Sequence, residues 1–457
     1  MMELTNALGV YPGSIIAFIG AGGKTRAMMR LAEELAGRNQ RVVSTTTTYL
    51  RQDELRLVPQ RVGFGHGMRL PATLPDQIAD HGHVFVFTKI EGNGDVRGVR
   101  PNWLDDNLVP AAYYDYLLVE ADESRRLSLK APSPHEPAIP SSVTIAVPMV
   151  GLDILGKPLD AENVYGAELI QRLLRHPFGA EITPRLVAAM LLHPQLGMKG
   201  IPRSARVAVL LNKVSDKTLP QAKAIARILL SDLTVERVLI AAVNDQDPVW
   251  EMWRRVGAVV LAAGQSIRMG RPKMLLKWGG QSIIQHVATQ VAATDVSEVV
   301  VITGQQHRAI TEHLDGLPMR TRYNPDHDVG EMLSSFQLGL RAMWHTCDAV
   351  LVVLGDQPFI DSALIQALLQ AYESGLGRII VPSYQNKRGH PILIDKRYWQ
   401  DILELPSGSS LRDFLHSRES EIYHVEVATD AILKDIDTPE DYHREKPKWP
   451  PEDVALG

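Results

Sequence analysis

Residues 261–273, with the sequence LAAGQSIRMGRPK, place small residues and basic side chains directly after an apolar run. The alanines and glycine at 262–264 would let a ligand approach the backbone closely. Arg268 and Lys273 add positive charge to a loop whose peptide N–H groups already attract anions. This combination predicts a site for a nucleoside triphosphate, although an ordinary strand-to-helix turn with solvated basic residues is an open alternative.

Asp356 is the carboxylate best placed to serve such a site. It follows the apolar run 349–354 and stands next to Gly355. A carboxylate at the end of a buried strand can reach a Mg²⁺ ion that bridges triphosphate oxygens, whereas the alternative role is that of a helix cap. We therefore expect Asp356 to be a metal ligand.

The elements around these residues alternate between strand and helix. Apolar runs predict strands at 257–261, 298–303 and 349–354, and helical periodicity predicts helices at 282–294, 306–314 and 332–343. Such alternation indicates a three-layer α/β domain with a mostly parallel sheet. In that fold class, ligands bind at the carboxyl ends of the strands, where both the loop and Asp356 are expected.

The stretch 261–276 resembles the signature loop of the MobA-like nucleotidyltransferases and, more narrowly, that of the molybdenum cofactor cytidylyltransferases. The resemblance spans residues 256–445 and implies a Rossmann-like fold, a Mg²⁺ ion, and CTP and molybdopterin as substrates. Guanylyl-transferring relatives carry Leu-Ala-Gly-Gly where this chain has Leu-Ala-Ala-Gly, which favours CTP over GTP. The nucleotide contacts that the resemblance implies are Leu261, Ala262, Ala263, Gly264, Ser266, Arg268 and Lys273.

The same resemblance assigns further roles. It makes Arg268, Lys273 and Asp356 the catalytic residues, and it adds Asp437, in the closing motif DIDTPED, to Asp356 as a metal ligand. A pterin-binding side is implied at Ser334, Ser335, His390 and Arg412. For His390, a structural role in a tight Gly-His-Pro turn is equally compatible with the sequence.

A second glycine loop, GAGGKT at residues 20–25, follows the apolar run 14–19 and precedes a helical pattern. Its glycines would allow N–H groups to point at phosphate oxygens, while Lys24 reaches outer phosphates and Thr25 binds Mg²⁺. The full P-loop spacing is not met, because Phe18 stands where the first glycine is expected. We interpret Gly20, Gly22, Gly23, Lys24 and Thr25 as a nucleotide-binding loop, with an incidental glycine-rich turn as the alternative.

Two other strand ends in this half carry candidate residues. Glu120 and Asp122 follow the apolar run 116–119, as metal or water ligands do in phosphate-binding folds, and capping acids are the alternative. Asn212 and Lys213 follow the run 206–211 and resemble part of a guanine-reading motif. Since Ser215 stands where the aspartate of that motif is expected, ATP is as plausible as GTP.

Residues 20–25, 45–48, 119–122, 129–132, 135–137, 150–153 and 211–213 together resemble the YqeC family, which is associated with selenium-dependent molybdenum hydroxylases. The resemblance covers residues 5–245. It implies a P-loop-like α/β accessory domain and a molybdenum hydroxylase apoenzyme as a partner. The break NDQDP at 244–248 separates this half from the next, so we predict domains at 1–250 and 256–457.

The composition is that of an ordinary globular chain of 457 residues, with 48 basic and 53 acidic side chains and a net charge of −5. This balance provides no basic footprint for nucleic acid. No apolar run approaches the roughly 18 residues of a membrane helix. We expect a cytoplasmic protein that binds neither nucleic acid nor membranes.

Two other functional classes stay open from the sequence. The second half could be a different nucleotidyltransferase, one that uses GTP or acts on a sugar or alditol phosphate. Alternatively, the whole chain could bind nucleotide without catalysis and chaperone the cofactor into a hydroxylase.

Overall fold

The computed structural model describes residues 2–58, 60–65, 69–111, 113–328, 331–406 and 408–447. The chain divides into two compact units, Met1–Trp253 and Arg254–Gly457. Each unit encloses its own apolar clusters and combines a central sheet with helices, so the predicted α/β fold class is confirmed. No helix in the described ranges is long and apolar enough to cross a bilayer.

The first unit is built on one large sheet with helices between its strands. Its strands are β1 (Ile15–Gly20), β2 (Val42–Thr46), β3 (Tyr49–Leu50), β4 (Arg61–Gly63), β5 (His83–Phe87), β6 (Lys89–Ile90), β7 (Val96–Arg97), β8 (Tyr116–Glu120), β9 (Leu129–Lys130), β10 (Ile145–Gly151), β11 (Val164–Tyr165), β12 (Arg206–Asn212), β13 (Val235–Ala241) and β14 (Val249–Arg254). Its helices are α1 (Leu4–Leu8), α2 (Lys24–Ala36), α3 (Leu74–His81), α4 (Pro101–Trp103), α5 (Val109–Ala111), α6 (Ala167–Leu174), α7 (Pro184–Leu192) and α8 (Leu219–Leu230).

The strand order of the large sheet is β14-β13-β12-β10-β1-β8-β2-β5-β4, while β11 pairs with β9 and the strands β3, β7 and β6 form a separate small sheet. Strand β8 lies between β1 and β2 and runs parallel to both, with Phe18 beside Glu120. On the other side of β1, Gly20 is beside Met149 of β10. Because parallel strands end at the same edge, this order brings the glycine loop, the carboxylates after β8 and the end of β12 together.

The second unit has a mixed sheet. Its strands are β15 (Val256–Ala262), β16 (Lys277–Trp278), β17 (Gln281–Ser282), β18 (Glu298–Thr303), β19 (Arg320–Tyr323), β20 (Ala349–Leu354), β21 (Ile379–Tyr384), β22 (Lys387–Arg388), β23 (Ile392–Asp395) and β24 (Ile422–Glu426). Its helices are α9 (Ile283–Ala292), α10 (His307–His313), α11 (Glu331–Met343), α12 (Ser362–Glu373), α13 (Trp399–Leu403), α14 (Leu411–Ser417) and α15 (Pro439–Glu445). The strands predicted at 298–303 and 349–354 are confirmed.

The main path of this sheet runs β19-β18-β15-β20-β23-β21-β22, and β24 pairs with β21. Strand β15 is parallel to both neighbours, β18 and β20. Strand β23 is antiparallel to β20 and to β21, so the parallel order is interrupted there. The chain leaves β15 for β18 on one side and returns to β20 on the other, which opens a crevice at the carboxyl end of β15.

A buried carboxylate stabilises the opposite edge of this sheet. Asp395 ends β23 beside Ala349, the first residue of β20. Its carboxylate accepts hydrogen bonds from Arg254 at 2.8 Å and from the hydroxyl of Tyr372 at 2.9 Å. Burial alone would raise the pKa of Asp395, but the charge of Arg254 and these hydrogen bonds hold it below its ordinary value.

We expect Asp395→Ala to lower the free energy of unfolding of the second unit by about 3–5 kcal/mol, because it removes the carboxylate that accepts a hydrogen bond from the largely buried Arg254. Differential scanning calorimetry would measure the effect. Asp401→Ala is the control, since Asp401 forms an exposed ion pair with Arg418 and exposed pairs contribute little. Equal effects of the two substitutions would contradict this role for Asp395.

Candidate functional site

The loop after β15 is fixed by close backbone contacts. Gly355 donates its N–H to the carbonyl of Leu261 at 3.0 Å, which joins the ends of β15 and β20. A methyl group on Gly304 would lie 2.6 Å from the carbonyl oxygen of Ala263, so glycine is needed there. Ser266 adopts a left-handed φ of 55° and accepts a hydrogen bond from the N–H of Lys273 at 3.2 Å.

Lys273 is the centre of this site. Its ammonium donates to Asp356 at 2.5 Å and to Asp437 at 2.7 Å, and Lys273 is only 8% exposed. Arg268 donates to the other oxygen of Asp437 at 3.0 Å. The structure therefore brings together all four of the catalytic and metal-binding candidates predicted for this half.

The charges of this cluster depend on one another. Burial alone would lower the pKa of Lys273, but Asp356 and Asp437 outweigh burial and raise it above its ordinary value. A third carboxylate, Asp435, stands nearby, and partial burial together with the charges of Asp437 and Asp356 raises its pKa. Lys273 therefore stays protonated at neutral pH and offsets a strongly negative group of side chains.

The donor set at this cluster fits a divalent cation. One oxygen of Asp356 and one of Asp437 converge on a single cationic position, which Lys273 takes. Carboxylate oxygens are the ligands that Mg²⁺ prefers, and Mg²⁺ often takes one or two of them together with substrate phosphates. Among the described residues, no group of three or more acids, histidines or cysteines is arranged so that it could hold a metal ion.

A polar cavity of about 460 Å³ lies over the loop and includes Gly264, Ser266, Arg268, Lys273 and Asp437 in its walls. Its size is within the range of small-ligand sites. His327 and Asp328 also line this cavity, and Asp328 accepts a hydrogen bond from Gln265 of the loop at 2.8 Å. Leu261, Ala262 and Ala263 do not line this cavity; Leu261 and Ala262 are the buried last residues of β15, and Ala263 follows them.

A second cavity in this unit, of about 600 Å³, contains His390 and Arg412. Apolar side chains from α11, β21, β23 and α14 form much of its surface, and Arg388 and His416 add basic groups. Burial lowers the pKa of His390 to about 4; Asp356 opposes this shift and Arg412 strengthens it. His390 is therefore neutral at physiological pH, and it lies close enough to Asp356 for the charge of that carboxylate to affect its pKa.

Ser334 and Ser335 do not line that cavity. They lie inside α11, and both hydroxyls accept hydrogen bonds from the amide of Asn324, at 3.0 and 2.9 Å. Sequence reasoning missed Asn324, although an Asn-Pro pair directly after a strand is a recognised turn signal.

The glycine loop of the first unit packs tightly against β10. Gly20, Gly22 and Gly23 all have positive φ angles, and a methyl group on Gly22 would lie 2.2 Å from the backbone nitrogen of Gly151. The N–H groups of Gly20, Ala21 and Gly22 already donate to Asp122, Met149 and Leu127.

The donors left for a ligand lie at the start of α2. No described residue accepts a hydrogen bond from the backbone N–H groups of Gly23, Lys24, Thr25 and Arg26. Unpaired N–H groups at a helix N-terminus attract phosphate. The backbone donors of this loop that have no partner in the described residues are therefore at its C-terminal end.

Lys24 and Thr25 join the loop to the carboxylates at the end of β8, Glu120 and Asp122. The ammonium of Lys24, which is 2% exposed, lies 3.2 Å from Asp122 and 3.6 Å from Glu120. Thr25 donates to Glu120 at 2.7 Å. Burial alone would lower the pKa of Lys24, but Asp122 and Glu120 outweigh it and raise this pKa above its ordinary value.

Glu120 is the member of this cluster whose pKa lies near neutrality. Burial raises its pKa to about 7, although Lys24 opposes the shift; the nearby Glu54 adds to it. Asp122 also pairs with Lys130 at 3.3 Å. A carboxyl group with a pKa near neutrality can accept or donate a proton at physiological pH.

Asn212 and Lys213 contact the protein itself. The amide of Asn212 donates to the carbonyl of Gly22 at 2.7 Å and accepts from the N–H of Val243 at 3.1 Å, so both of its ends are engaged. Lys213 donates to Ser128 at 2.7 Å and to Asp153 at 2.9 Å. Asn212 thus lies next to the glycine loop, whereas Lys213 points to a separate polar group.

Comparison with known proteins assigns both units. The chain is 32% identical over 203 residues to the uncharacterized protein YqeC of Escherichia coli (strain K12), covering 44% of this chain and 77% of that protein. This chain belongs to the YqeC family. The YqeC family model matches residues 16–168, and the model of the MobA-like NTP transferase domain matches residues 258–422. The second unit is thus a nucleotidyltransferase-type domain, and the resemblances to both families are confirmed.

Two other relatives of this YqeC-family chain carry different names. Nicotine blue oxidoreductase of Paenarthrobacter nicotinovorans is 29% identical over 198 residues, or 41% of this chain and 95% of that protein. Molybdenum cofactor cytidylyltransferase of Escherichia coli (strain K12) is 26% identical over 195 residues, or 42% of this chain and 97% of that protein. Similarity alone therefore does not select one substrate.

We expect Gly22→Ala to destabilise the first unit by about 2–4 kcal/mol, because the added methyl group meets the backbone of Gly151 and the residue keeps a positive φ. Gly13→Ala is a matched control: its φ of 92° is close to the 90° of Gly22, and nothing lies within 4 Å of the added atom. Urea unfolding would measure both. If both substitutions cost the same, the loop is not held by its contact with β10.

Proposed function

We propose that the second unit is a molybdenum cofactor cytidylyltransferase, which transfers CMP from CTP to molybdopterin and releases pyrophosphate. The observation that carries this proposal is the ammonium of Lys273 held between Asp356 and Asp437, at 2.5 and 2.7 Å, beside a polar cavity. A cation and two carboxylates at one point suit a metal-bound triphosphate. An oxidoreductase reaction has no evident use for this cluster.

In this reaction a terminal phosphate oxygen of molybdopterin attacks the α-phosphorus of CTP, and the bond to the pyrophosphate oxygen breaks. Lys273 and Arg268 would neutralise charge on the phosphates and hold them in position. Asp356 and Asp437 would hold Mg²⁺, which when bound supplies charge neutralisation to the triphosphate. Phosphoryl-group transfer of this kind needs positioning and charge rather than a covalent intermediate with the protein.

The cavity that contains His390 and Arg412 suits the acceptor. Its apolar walls can cover a flat ring system, and Arg412 can bind a phosphate group, whereas Arg388 already pairs with Glu419. A neutral His390 can exchange hydrogen bonds with a polar ring edge. The charge of Asp356 acts on His390, which links this cavity electrostatically to the cluster around Lys273.

We also propose that the first unit binds the phosphates of a nucleotide, ATP or GTP, and serves the maturation of a molybdenum hydroxylase. The free N–H groups at the start of α2 and the buried pair of Lys24 and Thr25 support phosphate binding. Glu120, with its pKa near 7, is the group best suited to accept a proton from an attacking water or hydroxyl.

We expect Asp356→Asn to lower the rate of pyrophosphate release from CTP and molybdopterin by about 100-fold or more, because it removes the negative charge with which Asp356 would hold Mg²⁺ at the triphosphate. Asp361→Asn is the matched control on the same segment, since Asp361 caps α12 through Leu364 and asparagine is an equally good cap. A coupled pyrophosphate assay measures both. Retained activity in the Asp356 variant would remove the metal assignment.

The same assay tests the substrates. We expect pyrophosphate release with CTP and molybdopterin, and little with GTP or ATP. Release with a sugar or alditol phosphate instead of molybdopterin would indicate a different nucleotidyltransferase. A protein that binds CTP but releases no pyrophosphate with any acceptor would favour a non-catalytic cofactor chaperone.

For the first unit, we expect Lys24→Ala to weaken binding of Mg-ATP or Mg-GTP by about tenfold or more, because a charge-assisted contact to phosphate is lost. Hydrogen exchange of residues 23–36 in the full chain reports binding to this unit separately. Since Lys24 also neutralises buried acids, Thr25→Val gives a second variant that keeps the charge. Unchanged protection in both variants would contradict phosphate binding at this loop.

A further inference from the structure

A cavity of about 470 Å³ opens beside helix α2 of the first unit. Its apolar surface comes from Met29, Leu57 and Val243, which belong to three separate segments. Met29 and Val243 are buried, and Leu57 is half-buried. A cavity of this size and lining is large enough for a nucleobase and its ribose.

Two arginines with available guanidinium groups face this cavity from different segments. Arg56 is exposed and has no hydrogen-bond or ion-pair partner in the described part of the chain. Arg26 makes one long contact, to the side-chain oxygen of Asn244 at 3.4 Å. A planar guanidinium group stacks well on a flat aromatic ring, so this pair suits a base better than an aliphatic ligand.

A third arginine holds the wall of the cavity in place. Arg30 donates to the carbonyls of Asp245 and Gln246, both at 2.8 Å, and to Glu34 at 3.1 Å. These bonds fix the segment that follows Asn244. The side-chain amide of Asn244 can both donate and accept hydrogen bonds, which is what reading the edge of a base requires.

The cavity and the phosphate-binding end of α2 share a residue. The backbone N–H of Arg26 is one of the free donors at the start of the helix, while its side chain lines the cavity. A ligand with phosphates at the helix N-terminus would therefore have its remaining part within reach of this cavity.

We propose that this cavity binds the base and ribose of the nucleotide whose phosphates bind at the start of α2. The inference rests on the proposed function of the first unit and names a second part of the same ligand site. Arg26 and Arg56 contact the flat ring, and Asn244 contacts its edge.

The test uses the full-length protein titrated with Mg-ATP, Mg-GTP or Mg-CTP and, separately, with inorganic tripolyphosphate. Hydrogen exchange of residues 23–36 and 243–246 reports binding to the first unit. We expect Arg56→Ala to weaken binding of the preferred nucleotide by about tenfold and to leave tripolyphosphate binding unchanged. Arg56→Lys keeps the charge but not the plane, so it should lose nearly as much affinity.

Arg203→Ala is the control, because Arg203 is an exposed arginine of the same unit that does not line the cavity. Unchanged nucleotide affinity in Arg56→Ala, with residues 23–36 still protected, would overturn the base site and leave phosphate binding intact. Equal losses for nucleotide and tripolyphosphate would overturn it as well, because the cavity would then hold phosphate. If no nucleotide protects either segment, both proposals fail.

Discussion

The second unit depends on one ammonium group. Lys273 pairs with Asp356, which lies 83 residues away in the chain, and with Asp437, which lies 164 residues away. Three segments that are far apart in the chain, those of Lys273, Asp356 and Asp437, therefore meet at the ammonium group of Lys273. Without that charge, the carboxylates of Asp356, Asp437 and Asp435 would repel one another at the mouth of the crevice after β15, so the loop that carries Lys273 is held where an anionic ligand would need it.

In the first unit, too, a lysine neutralises neighbouring carboxylates, but the surrounding elements differ. Lys24 also neutralises two carboxylates, but these lie at and just beyond the end of the neighbouring strand β8, and the cluster is almost completely buried. The cation of the second unit borders an open cavity, whereas that of the first unit faces inward. A ligand of the first unit would therefore meet the helix N-terminus before it reaches the lysine. The two glycine-containing loops therefore differ in where their lysine lies and in how exposed it is.

The main strands and helices could be predicted from the sequence, because runs such as 349–354 are apolar enough to require burial. The meeting of Lys273 with Asp437 follows from family resemblance but not from local pattern, since it depends on how distant segments close. The cavity around Arg56 escaped prediction for the same reason, whereas Asn324 was missed although the Asn-Pro pair after a strand marks a turn there. Asn212 was placed correctly at a strand end, but its amide contacts the backbone of the protein, and no periodicity reveals which way an amide points.

Asn212 also has a mechanical consequence. One side of its amide holds the carbonyl of Gly22 in the glycine loop, and the other holds the N–H of Val243, which lines the cavity beside α2. The glycine loop and the cavity beside α2, which would receive opposite ends of a nucleotide, are thus connected by hydrogen bonds to a single buried side chain. These hydrogen bonds fix the distance between the loop and the cavity before any ligand arrives, so less conformational entropy is lost on binding. They would also exclude ligands whose length does not match that distance.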